Sequence, residues 1–333
     1  MTAKIRIGTR PSALALAQAA MVAGRMRAAA PGLACEIVRI STTGDKMTSA
    51  ALAQIGGKGL FIRELEQALA AGRIDLAVHS MKDLPAMTAA GFRIVAVPER
   101  ENPRDALLAR GAGGWDALAR GARLGTASPR RRLMALSARP DLQITPLRGN
   151  VDTRLGKLAA GEFDAIILAM AGLARLGRLE QIRGGGEIIL SELGDREFVP
   201  AGGQGALALE AFGAGPIAGA AEIEAAVAAL DDPRARAETI AERAFLAAIG
   251  ASCVSPVGVR AKAGADAITL RARLFSLDGA RSLEESAEAR WSPGDTAAAA
   301  DLGAAAGQRI IARGGRELID GAQARRDAAG RKP

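Results

Sequence analysis

The chain contains few residues of several types on which many proteins depend. Its 333 residues include two cysteines, one histidine and no tyrosine, and aromatic residues make up only 3%. Cys35 and Cys253 lie far apart without the spacing of metal ligands, which indicates a reduced compartment, and we expect a cytoplasmic protein. Proteins that bind single-stranded nucleic acid usually stack bases on aromatic side chains, so this composition disfavours that class.

Long apolar runs are also missing from the sequence. No stretch approaches the roughly 18–20 apolar residues that span a bilayer, so we expect no membrane association. Residues 1–8 alternate as in a strand and lack the apolar stretch of a signal peptide. Hydrophobic residues still make up 49% of the chain, enough for large cores, and the length predicts two or three domains.

The net charge of +8 indicates an anionic partner: nucleic acid, an acidic lipid surface or a polycarboxylate. Basic residues recur where a predicted strand passes into a loop or helix, as at Arg10, Lys58 and Arg148. Helix N-termini attract anions, and arginines placed there can grip carboxylates in bidentate fashion. Two lobes facing each other would then form a channel for polyanions. The alternative is that these arginines only solvate helix surfaces.

Strands and helices alternate along the first two thirds of the chain. The first lobe is predicted to contain strands 4–9, 35–40, 75–80 and 92–97, helices 12–29 and 60–71, and a loop over 41–58. The second is predicted to contain strands 105–110, 122–126, 142–147 and 164–169, with helices beginning at Ser128-Pro129 and at Asn150. Residues 7–12 resemble 124–129, and 69–75 resemble 158–164, which favours two related lobes over chance matches in Ala- and Gly-rich sequence.

The last third has a different pattern and predicts a small α+β domain. We expect helices over 219–230 and 233–249, a strand over 257–262, a hairpin over 267–289 and a helix near 295–313. Residues 314–333 are polar and are expected to be frayed.

Residues 75–83 carry the strongest local signal for chemistry. The apolar strand run breaks into Ser80, Lys82 and Asp83 just before a proline, and open α/β sheets build their sites at such strand ends. An acid beside a base suggests proton transfer, although Asp83 could be only a turn cap. His79 is expected to be a core histidine without a catalytic role.

Two further segments have alternative interpretations. Cys253 lies in a loop of small residues, where its thiol could be exposed and reactive or simply inert, whereas Cys35 begins a strand and is expected in the core. The glycine-rich turn over 199–205 could be a hinge or a site of close backbone approach to a ligand.

Several motifs, in this order, resemble those of the hydroxymethylbilane synthase family, also called porphobilinogen deaminases. The resemblance runs from residue 4 to about 313, and its motifs are residues 8–16, 56–61, 78–83, 148–154, 164–169, 171–177 and 200–206.

The resemblance implies a fold and a division into domains. The expected fold is α/β, with two periplasmic-binding-protein-like lobes around a central cleft and a small α+β C-terminal domain. The implied domains are residues 1–99 with 200–217, residues 100–199, and residues 218–315, followed by a flexible tail over 316–333. A monomer is implied as well.

The resemblance also implies a transferase reaction. Four porphobilinogen molecules are joined head to tail with release of ammonia, giving the linear hydroxymethylbilane of tetrapyrrole (haem, chlorophyll and corrin) biosynthesis. The primer would be a dipyrromethane cofactor in thioether linkage to Cys253, and no metal or nucleotide is implied. Each pyrrole carries an acetate and a propionate, so a growing chain is a polycarboxylate, which agrees with the arginines at the strand ends.

By the same resemblance Asp83 is the catalytic carboxylate, which would assist loss of the amine and stabilise the positive azafulvene. Arg175 matches a residue associated with movement of the chain through the cleft. Residues expected to bind cofactor or substrate are Arg10, Ser12, Lys58, Ser80, Lys82, Thr126, Ser128, Arg130, Arg131, Arg148, Arg154, Arg175 and Gln204.

Some positions depart from the family pattern. Gln54 stands where a lysine is common, and Ala251-Ser252 precede the cysteine where two glycines are typical. Two other classes remain open at this stage. A non-enzymatic, two-lobed anion-binding protein would use the same lobes and arginines but would need neither Asp83 nor Cys253. A basic nucleic-acid binder would show a steep dependence on salt.

Overall fold

A computed structural model describes residues 3–46, 62–111, 113–251 and 255–321, and three β-sheets organise them. The strands, in chain order, are β1 Lys4–Thr9, β2 Ala34–Arg39, β3 Leu76–Ser80, β4 Phe92–Ala96, β5 Asp105–Arg110, β6 Arg123–Gly125, β7 Gln143–Thr145, β8 Ala165–Ala169, β9 Ile188–Glu192, β10 Leu207–Phe212, β11 Val257–Ala263, β12 Ala267–Phe275 and β13 Ser282–Arg290.

The α-helices lie between these strands and beside the sheets. They are α1 Ala13–Ala29, α2 Thr43–Lys46, α3 Arg63–Ala70, α4 Pro129–Ala138, α5 Val151–Ala159, α6 Met170–Arg175, α7 Arg178–Arg183, α8 Ala221–Ala228, α9 Pro233–Ile249 and α10 Thr296–Ile310. Short 3₁₀ turns follow at Met81–Asp83 and Ile217–Gly219. Within the described ranges, no helix combines the length and apolarity needed to cross a membrane.

The first lobe is a five-stranded sheet in the order β2-β1-β3-β10-β4. Strand β1 pairs in parallel with β2 and β3, whereas β10 returns from much later in the chain and lies antiparallel between β3 and β4. Helices α1 and α8 cover one face and α3 the other. Helix α1 packs through Val22 and Met26, and Ser12 caps its N-terminus. Strands β1 and β3 therefore end together at one sheet edge.

The second lobe repeats this arrangement in the order β7-β6-β8-β5-β9. Strand β6 is parallel to β7 and β8, and β5 lies antiparallel between β8 and β9. Helices α4 and α5 pack on opposite faces of the sheet, in separate apolar clusters. The strand order is the same in both lobes, which confirms the predicted pair of related α/β lobes and the internal repeat.

The third unit is the predicted small α+β domain. Its antiparallel sheet β11-β12-β13 packs against α9 and α10. The two helices approach closely because α10 carries glycine at the contact: a Cβ at Gly303 would lie 2.1 Å from the Ala241 carbonyl oxygen. Any larger residue there would push the helices apart.

Two sequence predictions need correction in this region and in the lobes. Residues 316–321 form a helical segment in which Leu318 and Ile319 are buried in the third core, so the expected tail over 316–333 is wrong for these six residues. Strands β9 and β10 were not predicted. Strand β10 consists mainly of Leu, Ala and Glu, which are good helix formers, and only its two neighbouring strands make it extended.

Candidate active site

A cavity of about 700 Å³ lies where the strand ends of the two lobes face each other. This volume is within the roughly 300–1,000 Å³ typical of small-molecule sites. Nine of the predicted binding residues line it: Arg10, Ser12, Ser80, Lys82, Arg131, Arg148, Arg154, Arg175 and Gln204. Six of these carry positive charge, so the cavity is suited to a ligand with several carboxylates.

Helix N-termini add to this positive potential. Ser12 caps α1 by accepting a hydrogen bond from Ala15 N at 3.3 Å, and Asn150 caps α5 by accepting one from Thr153 N at 2.8 Å; both caps line the cavity. Ser128 caps α4 in the same way, accepting from Arg131 N at 3.4 Å. The cavity lining includes neither Ser128 nor Thr126, whose hydroxyl accepts from Ser128 N at 3.2 Å. These two residues build the start of α4, and their contact with a ligand stays a prediction.

Asp83 lies on the short turn that follows β3 and is exposed. It lines a second cavity of about 70 Å³, which shares Arg10, Ser12 and Ser80 with the large one. Among the described residues, none donates a hydrogen bond to the Asp83 carboxylate or forms an ion pair with it. This carboxylate is thus placed beside the cation-lined cavity, where a ligand can reach it.

Lys82 precedes Asp83 and faces the large cavity. Its Nζ donates a hydrogen bond to Gln204 Oε1 at 3.2 Å. Solvent in the cavity reaches the side chain, but protein walls surround it, and this desolvation together with the charge of Arg131 lowers the pKa of Lys82 to about 8. The charge of Lys82 therefore changes near pH 8.

Asp105, at the start of β5, holds two of the three arginines of α4 in place. It is fully buried and forms ion pairs with Arg130 Nη1 at 2.8 Å and Arg131 Nη2 at 2.7 Å, and it accepts a hydrogen bond from Gln204 Nε2 at 3.0 Å. Burial alone would raise the pKa of Asp105, but the two arginines hold it below its usual range. The buried carboxylate thus stays ionised and orients both arginines.

Arg130 and Arg131 differ in what remains available to a ligand. Arg131 still lines the cavity. Arg130 points the other way: it donates to the Val199 carbonyl at 2.9 Å and lies 5.8 Å from the centre of the Phe198 ring. It is buried away from the cavity, so the geometry does not favour the predicted direct contact between Arg130 and a ligand. Its observed contacts hold Asp105 and the end of the second lobe.

Two further arginines of the second lobe, Arg154 and Arg175, line the cavity, and the pKa of each is lowered. Arg154 Nε donates to the Gly149 carbonyl at 2.8 Å, and burial with the nearby charges of Arg131 and Arg148 lowers its pKa. Arg175 Nη2 donates to the Gly205 carbonyl at 2.6 Å, and burial lowers the pKa of Arg175 to about 10. Burial is the main cause of both lowered pKa values, so an anion bound in the cavity would offset the cost of burying these guanidinium groups.

The remaining candidates divide into two groups. Lys58 and Cys253 lie outside the described residues. His79 is buried, and its Nε2 lies 3.0 Å from Glu210 Oε2 on the neighbouring strand β10, as expected for a partnered core histidine. It also borders the small cavity that contains Asp83.

Sequence reasoning missed three residues that shape the site. Gln18 on α1 exchanges hydrogen bonds with the Ser80 hydroxyl at 3.1 and 3.3 Å, Asp45 binds Arg10, and Asp105 organises α4. Gln18 could have been found, because it is a polar residue on the buried face that includes Val22 and Met26. Asp45 and Asp105 give no such local signal, since their partners are distant in sequence.

The fold and the cavity together define a two-lobed α/β protein that is suited to bind an anionic small molecule between its lobes. The sequence matches two family models, described as "Porphobilinogen deaminase, dipyromethane cofactor binding domain" over residues 5–214 and "Porphobilinogen deaminase, C-terminal domain" over residues 236–312.

Curated relatives agree along nearly the whole chain. The porphobilinogen deaminase of Syntrophus aciditrophicus is 42% identical over 316 residues, which cover 95% of this chain and 98% of that protein. Those of Chromobacterium violaceum and Roseiflexus castenholzii are 45% and 43% identical, covering 95% and 96% of this chain and 97% and 100% of the relatives. The chain belongs to the porphobilinogen deaminase family, a family of transferases, and residues 5–214, which comprise both lobes, match its dipyrromethane cofactor binding domain; this confirms the resemblance seen in the sequence.

Proposed function

We propose that this chain is a hydroxymethylbilane synthase, which joins four porphobilinogen molecules head to tail and releases ammonia at each step. The observation that carries the proposal is the cation-lined cavity with a carboxylate at its edge, in a chain whose residues 5–214 match the dipyrromethane cofactor binding domain. The product is the linear tetrapyrrole hydroxymethylbilane.

The cations of the cavity would bind and orient the pyrrole side chains. Every unit brings an acetate and a propionate, and guanidinium groups bind such carboxylates through two parallel hydrogen bonds. Of the acids that line the cavity, Asp45 is paired with Arg10 and Asp152 with Arg178, so neither is paired with Arg131, Arg154 or Arg175. The excess of positive charge thus fits a chain of dicarboxylate units.

Asp83 would act on the reacting unit. Loss of ammonia leaves positive charge on the pyrrole, and a fixed carboxylate beside a developing cation lowers the barrier by electrostatic stabilisation. The same carboxylate can accept a hydrogen bond from a pyrrole N–H. Because no described residue competes for it, Asp83 is free to serve in both ways.

When bound, the dipyrromethane cofactor supplies the primer to which new units are added. The residues that fit its carboxylates are Lys82, Arg131, Arg148 and Arg154, which come from both lobes. We assign its thioether linkage to Cys253 from the sequence motif, and we assign Lys58, Thr126 and Ser128 to ligand binding on the same basis.

The remaining assignments concern the protein as a whole. We propose domains over residues 1–99 with 200–217, over 100–199 and over 218–315, and a cytoplasmic monomer that binds neither nucleic acid nor membranes. The antiparallel insertion of β10 into the first sheet supports the discontinuous first domain.

The first test is turnover of porphobilinogen by the purified holoenzyme, with substrate loss, ammonia and oxidised porphyrin followed together. Loss of four porphobilinogens with four ammonia molecules for each porphyrin would establish the synthase. A folded, cofactor-loaded sample without turnover would leave a two-lobed anion-binding protein as the better account.

A further inference from the structure

The guanidinium of Arg10 is already bound to a carboxylate of this chain. Arg10 Nη2 lies 2.5 Å from Asp45 Oδ1, and Arg10 Nε lies 3.1 and 3.4 Å from the two Asp45 oxygens. This is the two-pronged geometry in which arginine binds any carboxylate. Both residues line the large cavity, so the contact is made at the surface that a ligand would occupy.

Asp45 is held from its other side by the segment in which it lies. Thr42 N and Thr42 Oγ1 donate to Asp45 Oδ2 at 3.1 and 2.8 Å, while Thr43 N and Oγ1 donate to Glu64 Oε1 at 2.7 and 2.5 Å. Burial opposes ionisation, but the bonds from Arg10 and Thr42 hold the pKa of Asp45 below its usual value. The pair is therefore charged at neutral pH.

Arg10 lies between the Asp45 carboxylate and the cavity that contains Asp83. Arg10 lines the large cavity and also the small one that contains Asp83. A porphobilinogen that reacts at Asp83 must lie at this junction, and its acetate and propionate can then reach Arg10. A ligand carboxylate needs the same guanidinium edge that Asp45 occupies.

Asp152 provides a comparison within the same cavity. It also lines the wall, but its partner is Arg178, at 2.8 Å, and Arg178 is not part of the cavity lining. Asp152 therefore does not compete with a ligand for a cation of the site, whereas Asp45 does.

We propose that Asp45 is an internal stand-in for a carboxylate of the incoming porphobilinogen, which binds by displacing Asp45 from Arg10. The inference rests on the proposed function. An internal carboxylate has a high effective concentration, so a small anion from solution displaces it poorly. A dicarboxylate that is also held by other cations of the cavity can do so. The exchange would lower affinity for porphobilinogen but keep Arg10 from binding other anions.

The test is a binding measurement on the cofactor-loaded holoenzyme. The probe is a pyrrole diacid that keeps the acetate and propionate of porphobilinogen but lacks the aminomethyl group, so it cannot react. Asp45→Asn removes the competing charge while keeping the shape. We expect the dissociation constant of the probe, measured by calorimetry, to fall by about tenfold, which corresponds to about 1.4 kcal/mol.

Two controls separate displacement from a general gain in positive charge. Asp152→Asn removes one negative charge from the same cavity, and its effect should stay below about twofold. In an Arg10→Ala background, Asp45→Asn should no longer tighten binding, because the group released by the substitution is gone. Equal tightening in Asp152→Asn, or undiminished tightening without Arg10, would overturn the proposal.

A second variant keeps the test valid if Asp45→Asn does not fold. Thr42→Val removes the hydroxyl that donates to Asp45 Oδ2 at 2.8 Å and accepts from Asp45 N at 3.3 Å, and it should tighten the probe by about threefold. Unchanged or weaker binding in the folded variants would show that Asp45 positions Arg10 instead. Turnover of porphobilinogen by the unaltered enzyme is measured in parallel: its absence would count against the proposed function, and unchanged affinity with normal turnover would count against the stand-in alone.

Discussion

Each of the two lobes contains an arginine–aspartate pair at the equivalent position, and the two pairs have the same geometry. In the first lobe Arg6 binds Asp75 through Nε at 3.0 Å and Nη2 at 2.6 Å, and its backbone N donates to Asp75 Oδ2 at 2.8 Å. In the second lobe Arg123 binds Asp164 at 3.2, 3.0 and 2.7 Å through the same three groups. Each arginine also donates to a glycine carbonyl, of Gly72 or Gly161. Such agreement extends the repeat from strand order to individual hydrogen bonds.

A close contact at a glycine of the equivalent strands β1 and β6 is repeated too. A Cβ at Gly8 would lie 2.2 Å from Ile74 Cδ1, and one at Gly125 would lie 2.8 Å from Phe163 Cδ1. In each lobe the apolar side chain directly precedes the aspartate of the Arg–Asp pair. A side chain at either place would force this neighbour to move, so glycine allows the close packing in both lobes.

The lobes differ at the strand ends, where the chemistry lies. Strand β3 leads into Ser80-Met81-Lys82-Asp83, and the corresponding strand β8 leads into Ala169-Met170-Ala171-Gly172. The first lobe thus provides a lysine and a carboxylate where the second has only alanine and glycine. The second provides most of the cations instead: Arg131, Arg148, Arg154 and Arg175. A repeated scaffold therefore fixes where the site lies, and substitutions at strand ends divide reaction and binding between the lobes.

The largest effect on activity is expected from a substitution of Asp83, because the second lobe has no carboxylate at the equivalent strand end. Asp83→Asn removes the carboxylate and should lower kcat by about 10²–10³-fold, by analogy with loss of one electrostatic group at other active sites. The protein should unfold at an unchanged temperature because no described residue bonds to this side chain. Asp116→Asn, on the exposed surface of the second lobe, is the matched control. Near-normal turnover in Asp83→Asn would contradict the proposal that the first lobe carries the reaction and the second lobe most of the binding.

The second lobe should depend on its buried carboxylate for stability. Asp105→Asn leaves Arg130 and Arg131 buried without a counter-charge, which costs about 3–5 kcal/mol in comparable cases. Urea denaturation would measure this loss. Asp152→Asn, whose side chain is 46% exposed, should change the free energy of unfolding by less than about 0.5 kcal/mol. A loss below about 1 kcal/mol in Asp105→Asn would show that the arginines do not need this anion.

Binding of substrate carboxylates by the first lobe should depend on pH through Lys82. The pKa of Lys82 is lowered to about 8, so its charge, and with it the attraction for carboxylates, is present below this pH and is lost as the pH rises through it. We expect KM for porphobilinogen to rise severalfold between about pH 7 and 9. Lys82→Arg should flatten this rise because arginine stays protonated. An equal rise in Lys82→Arg would assign the pH dependence to another group.

The smallest effect is expected from the equivalent Arg–Asp pairs. The Asp75 side chain is 11% exposed and that of Asp164 is 41% exposed. Asp75→Asn should therefore lower the unfolding free energy by about 1 kcal/mol, and Asp164→Asn by less, because water screens the second pair more. Thermal unfolding of both variants tests this order. Equal or reversed losses would mean that exposure does not decide the strength of these pairs.

Strand and helix positions followed closely from local patterns. Strand β1 coincides with the predicted 4–9, and α9 with the predicted 233–249, because alternation, capping residues and proline positions are local signals. The cation set was also found from sequence, since strand ends carry it in both lobes. The sequence did not show which arginines face the cavity. Arg130 is adjacent to Arg131 in sequence, but its side chain contacts Val199 and Asp105 and does not line the cavity.

The sequence by itself determined the family, the repeated scaffold, and the placement of Asp83 and the arginines at strand ends. Only the tertiary structure decided that β10 inserts between β3 and β4, that Asp105 binds Arg130 and Arg131 of α4, and that Asp45 covers Arg10. The physical reason is separation along the chain. Periodicity and caps act over a few residues, whereas the partner of a buried charge or a sheet strand is chosen by three-dimensional packing among groups that are distant in sequence.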